Sequence, residues 1–521
     1  MKKIHLFAFL YLLNFSSAWA QNLFSENKNL QTIYSHIYNR QAESLLPFFQ
    51  SNDYEERKMA YLGFGSVQDS MFIRYLFDEL DKIQEDSLSK YLVYSIGQTK
   101  CKESFYLMLD RIERLQNRDA FLFALESIGK TSQWDVSQLF VEILNSEKNV
   151  DHHFIRFWVR GLYQAKRNKN LNYTQEYPKL QKVCAKLLKQ NKGVEEETKE
   201  LVQKIFADKP KPIVTNKTLV DNTKALEDSL AFYNSPYAQV QYLQKTKLSS
   251  GVCLFILSSN MSSLVKYNAL EQYFTHHATL FVDDSILHIA LQSKDIALIS
   301  RTCEFIQDRI ANKKSVSFVG VDKLTEIQNS LSLPQDLETW IDLQKTILSI
   351  QGKSYQYSSY FNTGYTNPID WAFAEKIPSN QKVRISTTKG DIEIVLLVEE
   401  TPASVTNFLK LVDSGYYNKK FFHRVVPNFV IQGGCPRGDG WGSLNWIQKS
   451  EFSSVRSYKP GSVGLASAGK DSEGVQFFIT HTYTTNLDGK YTQLGEVVKG
   501  MEIVNQIHIG DQILSISRIT E

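Results

Sequence analysis

The sequence predicts a multidomain protein, with an N-terminal all-α solenoid of stacked helix pairs and a C-terminal strand-rich domain of the sandwich or barrel kind. Three observations predict it. A short glycine-containing phrase recurs with Gly65, Gly97, Gly129 and Gly161 each 32 residues apart. Apolar residues in the first two thirds follow helical spacing, as in Phe121, Ala124, Leu125 and Ile128. From Lys382 they alternate instead, with Ile392, Ile394, Leu396 and Val398 at every second position.

Bulk composition sets the frame for these elements. A chain of 521 residues holds about three domains at ~100–200 residues each. With 42% hydrophobic and 22% charged residues it is ordinary globular protein. The formal net charge of +3, from 59 basic against 56 acidic side chains, argues against a nucleic-acid partner held through phosphates. Five scattered cysteines, Cys101, Cys184, Cys253, Cys303 and Cys435, form neither a disulfide framework nor a zinc spacing.

The chain opens with a basic pair, Lys2 and Lys3, then a mostly apolar run from Ile4 to Phe15, then Ala18-Trp19-Ala20. That order predicts a cleaved signal peptide over residues 1–20 and a secreted protein, periplasmic in a Gram-negative bacterium. The run is shorter than the ~20 apolar residues that span a bilayer, and no later segment looks membrane-spanning.

The repeated phrases are Gly63-Phe64-Gly65-Ser66-Val67, Ser95-Ile96-Gly97-Gln98-Thr99 and Ser127-Ile128-Gly129-Lys130-Thr131, with Gly161-Leu162-Tyr163-Gln164-Ala165 continuing the period. Glycine just past an apolar helical run suits a left-handed cap. A fixed period carrying paired helices is the signature of an α-solenoid. By pattern, residues 21–208 resemble a HEAT-type repeat array, although their period is shorter than the ~40–47 residues of such units. Lys209-Pro210-Lys211-Pro212 interrupts the helices. A second helical region over 209–350 continues the solenoid, with Ile296, Ile299, Cys303, Ile306 and Ile310 on one helix face. Residues 351–380, rich in Tyr, Ser, Asn, Gly and Pro, read as a linker or a strap packed on a neighbour. The pairs His152-His153 and His276-His277 lack the company of a metal site.

Residues 381–521 form the strand-rich domain. A turn at Lys389-Gly390-Asp391 joins the first alternating runs. A helix follows, with Thr401 at the N-cap, Pro402 at its first position, Val405, Phe408, Leu409 and Val412 on its apolar face, and Gly415 at its end. Short apolar runs then recur at Phe421–Pro427, Phe429–Gln432, Val463–Ala466, Gln476–Thr480 and Ile513–Ile519.

Four blocks in this domain carry a family resemblance. They are Phe421-Phe422-His423-Arg424-Val425-Val426-Pro427-Asn428-Phe429-Val430-Ile431-Gln432-Gly433-Gly434, Pro460 to Ala468, Gln476-Phe477-Phe478-Ile479-Thr480, and Leu487-Asp488-Gly489-Lys490-Tyr491 followed by Leu494-Gly495-Glu496-Val497. In this order and spacing they resemble the cyclophilins. The resemblance covers about Lys382 to Glu521 and implies a closed β-barrel capped by helices. The activity it implies is peptidyl-prolyl cis-trans isomerisation, also called rotamase activity.

Rotation about an X–Pro bond must overcome amide resonance, a barrier of ~18–20 kcal/mol. In the twisted state the prolyl nitrogen becomes a better hydrogen-bond acceptor. A permanently charged, rigid donor aimed at it therefore favours that state over both ground states. The resemblance implies Arg424 as this donor and Gln432 as the group that orients it. It implies a proline slot lined by Phe429, Val430, Phe478 and Leu487, with Leu465 and Tyr491 nearby. Gln476 and the backbone at Ala466 and Ser467 would hold the rest of the client. No metal, cofactor or nucleophile is required. The sequence departs from the family at Ser467, Val475, Asn486, Tyr491 and Leu494, and Asn486 stands where cyclosporin-sensitive members carry tryptophan.

The expected function is thus an exported isomerase that assists folding of proline-containing polypeptides, with the helical repeats binding clients or an envelope partner. The alternative is a scaffold that binds proline segments and turns them over little.

Overall fold

The computed structural model describes residues 22–84, 86–171, 176–191, 193–206, 218–277, 283–314, 320–355, 366–452 and 455–519. The segment expected to be a signal peptide, the Lys209–Pro212 interruption and part of the 351–380 connection lie outside these residues. Among the described residues no helix is long and apolar enough to cross a membrane.

Among the described residues the first region holds helices and no strand. Six helices, Lys28–Tyr38, Tyr54–Val67, Ser89–Thr99, Arg118–Thr131, His152–Arg167 and Glu196–Phe206, lie side by side in chain order. Helices Ile73–Lys82, Lys102–Arg111, Ser137–Ser146 and Glu176–Gln190 form an outer row. Asp53, Asn117 and Asp151 cap the inner helices by accepting bonds from first-turn amides. One apolar core runs through both rows, from Phe24 to Ile205.

The repeated glycines do not cap these helices. Gly65, Gly97, Gly129 and Gly161 all lie inside them, and the left-handed caps are Gln68 and Lys100. The glycines serve close approach. A Cβ on Gly97 would strike Ser127, and one on Gly129 would strike the backbone of Gly161. The serine of each Ser-Ile-Gly phrase ties its helix to the preceding one. Ser95 Oγ donates to Tyr61 O at 2.8 Å and Ser127 Oγ to Val93 O at 3.1 Å.

The second region, from Thr218 to Ile350, is a set of helices with, among the described residues, one parallel strand pair, β1 (Thr218–Val220) and β2 (Thr246–Leu248). Ile296, Ile299, Cys303 and Ile306 are buried on one face of helix Ile296–Ala311, as their spacing predicts.

The C-terminal region is an antiparallel barrel of eight strands: β3 (Lys382–Thr387), β4 (Gly390–Leu396), β5 (Phe422–Val426), β6 (Val430–Gly433), β7 (Ser462–Leu465), β8 (Phe477–Thr480), β9 (Gln493–Lys499) and β10 (Ile513–Ile519). Their order is β10-β3-β4-β9-β7-β8-β6-β5. The ends meet where Phe422 N donates to Asp511 O at 2.9 Å and Ile513 N to Lys420 O at 2.7 Å. Alternation puts Val383, Ile385, Ile392, Ile394, Val463, Leu465, Phe477 and Ile479 in the interior, which the helix Pro402–Asp413 covers with Val405, Phe408 and Leu409. Thr401 is the N-cap by position, but its hydroxyl donates to Leu397 O. The first-turn amides of Ala403 and Ser404 go to the buried carboxylate of Glu451, at 3.1 and 2.8 Å.

Both helical regions pack on the barrel. Tyr94 and Ser66 bond the backbone of Phe452, Arg40 pairs with Asp471, and Tyr34 OH donates to Glu451. From the second region, Tyr237 OH donates to Gly438 O at 2.9 Å, and Asp295 pairs with Arg437 at 3.2 Å. From the connecting segment, Trp371 Nε1 donates to Ser35 Oγ at 3.0 Å, and Ile369 and Trp371 pack on the core of the first helical region.

Candidate active site

Strand register assembles the site. On β5 and β6, Arg424 stands directly opposite Gln432. On β6 and β8, Gln432 stands opposite Phe478, and on β8 and β7, Phe478 stands opposite Gly464. Residues opposite one another on neighbouring strands project from the same face, so four strands present one row. The glycine is required there. A Cβ on Gly464 would strike the Phe478 ring and the Tyr458 hydroxyl.

The row ends in an apolar slot. Val430, Phe478, Leu487 and Tyr458 are buried together, with Phe429, Ala466 and Tyr491 packed against them. Tyr458 stacks on Phe478 with centroids 5.6 Å apart, and Tyr491 meets the same ring edge-on at 5.7 Å. The Arg424 guanidinium lies exposed at the mouth, 5.9 Å from the Phe429 ring centroid. Its Nη1 reaches Gln432 Oε1 at 3.5 Å, a long contact at the edge of hydrogen bonding. Gln432 Nε2 donates to Gln476 Oε1 at 3.0 Å, and Gln476 Nε2 to Gly440 O at 2.9 Å. This chain of amides fixes the direction in which each carbonyl points. Burial first, and then the charge of Arg424, lowers His423 to about 4. The imidazole under the arginine is therefore neutral at ordinary pH, and Arg424 is the positive group at the mouth.

Of the residues expected from sequence, Arg424, Gln432, Phe429, Val430, Ala466, Ser467, Gln476, Phe478, Leu487 and Tyr491 line one cavity of about 780 Å³. Leu465 does not. It belongs to the barrel interior with Val463 and Phe477, because strand alternation turns it away from the face that carries Gly464 and Ala466. Sequence reasoning missed Tyr458, which packs under the slot, and Trp441, which lines the cavity. Tyr458 sits two residues before Pro460, just outside the recognised block. Sequence reasoning also missed the far wall. Residues of the second helical region, among them Tyr267, Gln272, Pro334 and Glu338, line the same cavity. No motif marks them.

The loop from Thr485 to Tyr491 is held from behind. Asp488 accepts from Tyr458 N at 2.8 Å and pairs with Arg160 of the first helical region at 2.7 Å. Arg160 also meets Glu126 at 2.7 Å and Glu197 at 2.6 Å, and all four groups are buried.

Residues 382–519 match the family described as cyclophilin type peptidyl-prolyl cis-trans isomerase/CLD. A Helicobacter pylori peptidyl-prolyl cis-trans isomerase is 37% identical over 145 residues, covering 27% of this chain and 89% of that protein. Peptidyl-prolyl cis-trans isomerase 9 of Schizosaccharomyces pombe is 41% identical over 132 residues, 24% of this chain and 22% of that one. The spliceosome-associated protein CWC27 homolog of Xenopus laevis is 39% identical over 153 residues, 29% of this chain and 30% of that one. The chain thus spans less than a third of the yeast and frog relatives it matches.

These relatives correct one expectation. Eukaryotic proteins, one of them named for association with the spliceosome, stand among them, and this overturns the assignment to a bacterial periplasm. That assignment rested on the first twenty residues alone, whereas the recognised motifs are indifferent to compartment. Through the barrel built from residues 382–519, the chain belongs to the cyclophilin-type peptidyl-prolyl cis-trans isomerases.

Proposed function

We propose that the protein accelerates cis–trans isomerisation of X–Pro bonds in polypeptide clients, with Arg424 as the catalytic donor. The observation that carries this reading is the position of the Arg424 guanidinium at the mouth of the apolar slot around Phe478. A prolyl ring seated against Phe429, Val430, Phe478 and Leu487 brings its nitrogen toward that guanidinium. As the bond twists, the nitrogen lone pair is freed from the amide and accepts from Arg424. The charge-assisted bond exists only in the twisted state, so it lowers the barrier without tightening either ground state. Gln432, held by Gln476, steers the guanidinium. Gln476 and the backbone at Ala466 and Ser467 take the client's main chain.

Residues 21–208 and 209–350 serve, in this reading, as a HEAT-like client-holding region joined by 351–380 to the isomerase domain of 381–521. Holding a client beside the slot raises the local concentration of its prolines without altering the chemistry.

The test is exchange spectroscopy on a short X–Pro peptide with the full chain and with Arg424→Ala. Loss of one preorganised donor costs about a hundredfold in rate or more, with the barrel's circular dichroism unchanged. Near-normal turnover by the variant would refute the assignment.

A further inference from the structure

The far wall of the catalytic cavity comes from the second helical region. Tyr267, Asn268 and Gln272 on helix Ser263–His277 face it, as do Pro334, Gln335 and Glu338 at the start of helix Leu337–Ile350. This wall is anchored on the loops that frame the slot. Ser443 N donates to Gln335 O at 3.0 Å. Leu337 and Ile341 pack on Ile447, with Ala468 beside them. Tyr267 meets Trp441 with ring centroids 6.0 Å apart, and Arg437 bonds Ser263 Oγ at 2.8 Å. A client in the slot therefore lies between two walls of one cleft.

The charges on that cleft are uneven. Among the described residues its lining carries one guanidinium, Arg424, and four carboxylates, Glu271, Glu304, Glu338 and Asp439. Three of the four are engaged. Arg301 meets Glu271 and Glu304, and Arg437 meets Asp439 at 2.8 Å. Glu338 makes no hydrogen bond or ion pair among the described residues. Burial, with Asp342 and Glu304 nearby and only Lys345 opposing, raises Glu338 to about 8. Once ionised it is felt at the slot, where after burial it is the largest influence raising the Tyr491 phenol. Lining the cavity of the catalytic row with no cation of its own, this carboxyl is mostly protonated near neutral pH, and an incoming positive charge favours its ionised form and is held by it.

We propose that Glu338 forms a subsite for a basic side chain, lysine or arginine, adjacent to the client's proline, so that the helical region reads clients whose bonds the barrel turns. This rests on the isomerase reading above. It assigns the helical wall a part in selecting sequence next to the proline, beyond holding the client as a whole.

The experiment uses the full chain and peptides of one length with Lys, Ala or Glu immediately before or after a single proline. Isomerisation is followed by exchange spectroscopy and binding by fluorescence anisotropy. The expected result is a preference for Lys over Glu of about tenfold in kcat/KM at one of the two positions, shrinking as salt rises. Glu338→Gln brings that ratio close to one, and Glu338→Lys inverts it. Because each ratio is taken within one protein, a general loss of activity in a variant cancels. Ratios near one at both positions in the unaltered chain overturn the subsite, as does a preference that survives Glu338→Gln. Preferential binding of the lysine peptide without turnover supports the subsite and overturns the isomerase reading. Absence of both binding and turnover overturns the two together.

Discussion

Arg160, in the first helical region, donates from Nη2 to Asp488 Oδ2 at 2.7 Å, and Asp488 immediately follows Leu487 of the proline slot. The helical array thus holds one wall of the slot through a buried ion pair. Even with Arg160 beside it, burial and the nearby Glu126 raise the Asp488 carboxyl to about 7. Arg160→Met would leave Asp488 buried without its cation and take one of two cations from Glu126 and Glu197, which keep Lys130 and Arg156 at 2.8 Å each. Removing one partner of a buried pair costs about 3–5 kcal/mol. The expected outcome in denaturant titration is a loss of that size, with a raised KM for X–Pro peptides as the 485–491 loop loosens. Adding Asp488→Asn, which keeps an acceptor for Tyr458 N and removes the charge, should return part of the loss. Additive losses in the double variant would show that the pair is not coupled.

Phe478 carries two duties, since it floors the slot and packs against Tyr458 and Tyr491. Phe478→Ala should cost about 3–5 kcal/mol of stability from the cavity it leaves. Turnover should fall with it, because the prolyl ring loses its main apolar surface. A variant that keeps full stability and full activity would place the ring outside both roles.

Gly129 tests the helix array without touching the site. A Cβ there would meet the Gly161 backbone, and backbone cannot move aside as a flexible side chain can. Gly129→Ala should therefore destabilise by about 1–3 kcal/mol through overpacking, although alanine is intrinsically the better helix former. Thermal unfolding decides the sign. A stabilised variant would mean that the two helices separate at little cost.

The contact between Arg40 and Asp471 gives a pH dependence. Burial raises the Asp471 carboxyl, but Arg40, Lys470 and the Ser450 amide lower it more, and it ends below its usual 3.8. A depressed carboxylate stabilises the folded contact above its unfolded pKa, and that stabilisation is lost as pH falls through the folded value. Ser450 N donates to Asp471 Oδ1 at 3.0 Å. Protection of this amide, its intrinsic exchange rate at each pH divided by the observed one, should be high and level from pH 7 to about 5 and fail below about 4. Glu451 and Glu473, both buried and raised, titrate in the opposite sense, so the readout must be local. Equal protection at pH 3 and pH 6 would rule out the assignment.

The barrel was legible in the sequence because its signals are local. Alternation marked β4, Pro402 and Gly415 bounded the helix, and the block from Phe421 to Gly434 carried the catalytic row. Leu465 was placed beside the slot because the resemblance points to its block as a whole, whereas alternation with Val463 turns its side chain into the barrel interior. The 32-residue period was legible, but the task of its glycines was not. A glycine that ends a helix and one that lets two helices touch are the same letter, and only Gly161 lying against Gly129 separates them. The cap of helix Pro402–Asp413 was hidden for the same reason, since Glu451 lies 47 residues beyond Ser404. Nothing near Glu338 or Tyr267 announced a cavity wall, because that wall is made by the packing of two regions.

Asn22 gives its side-chain amide to the carbonyls of Ala374 and Ile377, at 2.9 and 2.6 Å and across 352 and 355 residues of chain. At synthesis rates of about 5–20 residues per second, such a pair waits roughly 20–70 seconds for its second member. Over that interval the inner helices carry Ser66, Tyr94 and Arg160 toward a barrel that has not yet left the ribosome. Contacts of this sequence separation also make for slow folding. Newly made protein should therefore pass through a long-lived state in which the helical array is formed and its barrel-facing side is still bare, open to chaperones and proteases that the finished molecule excludes.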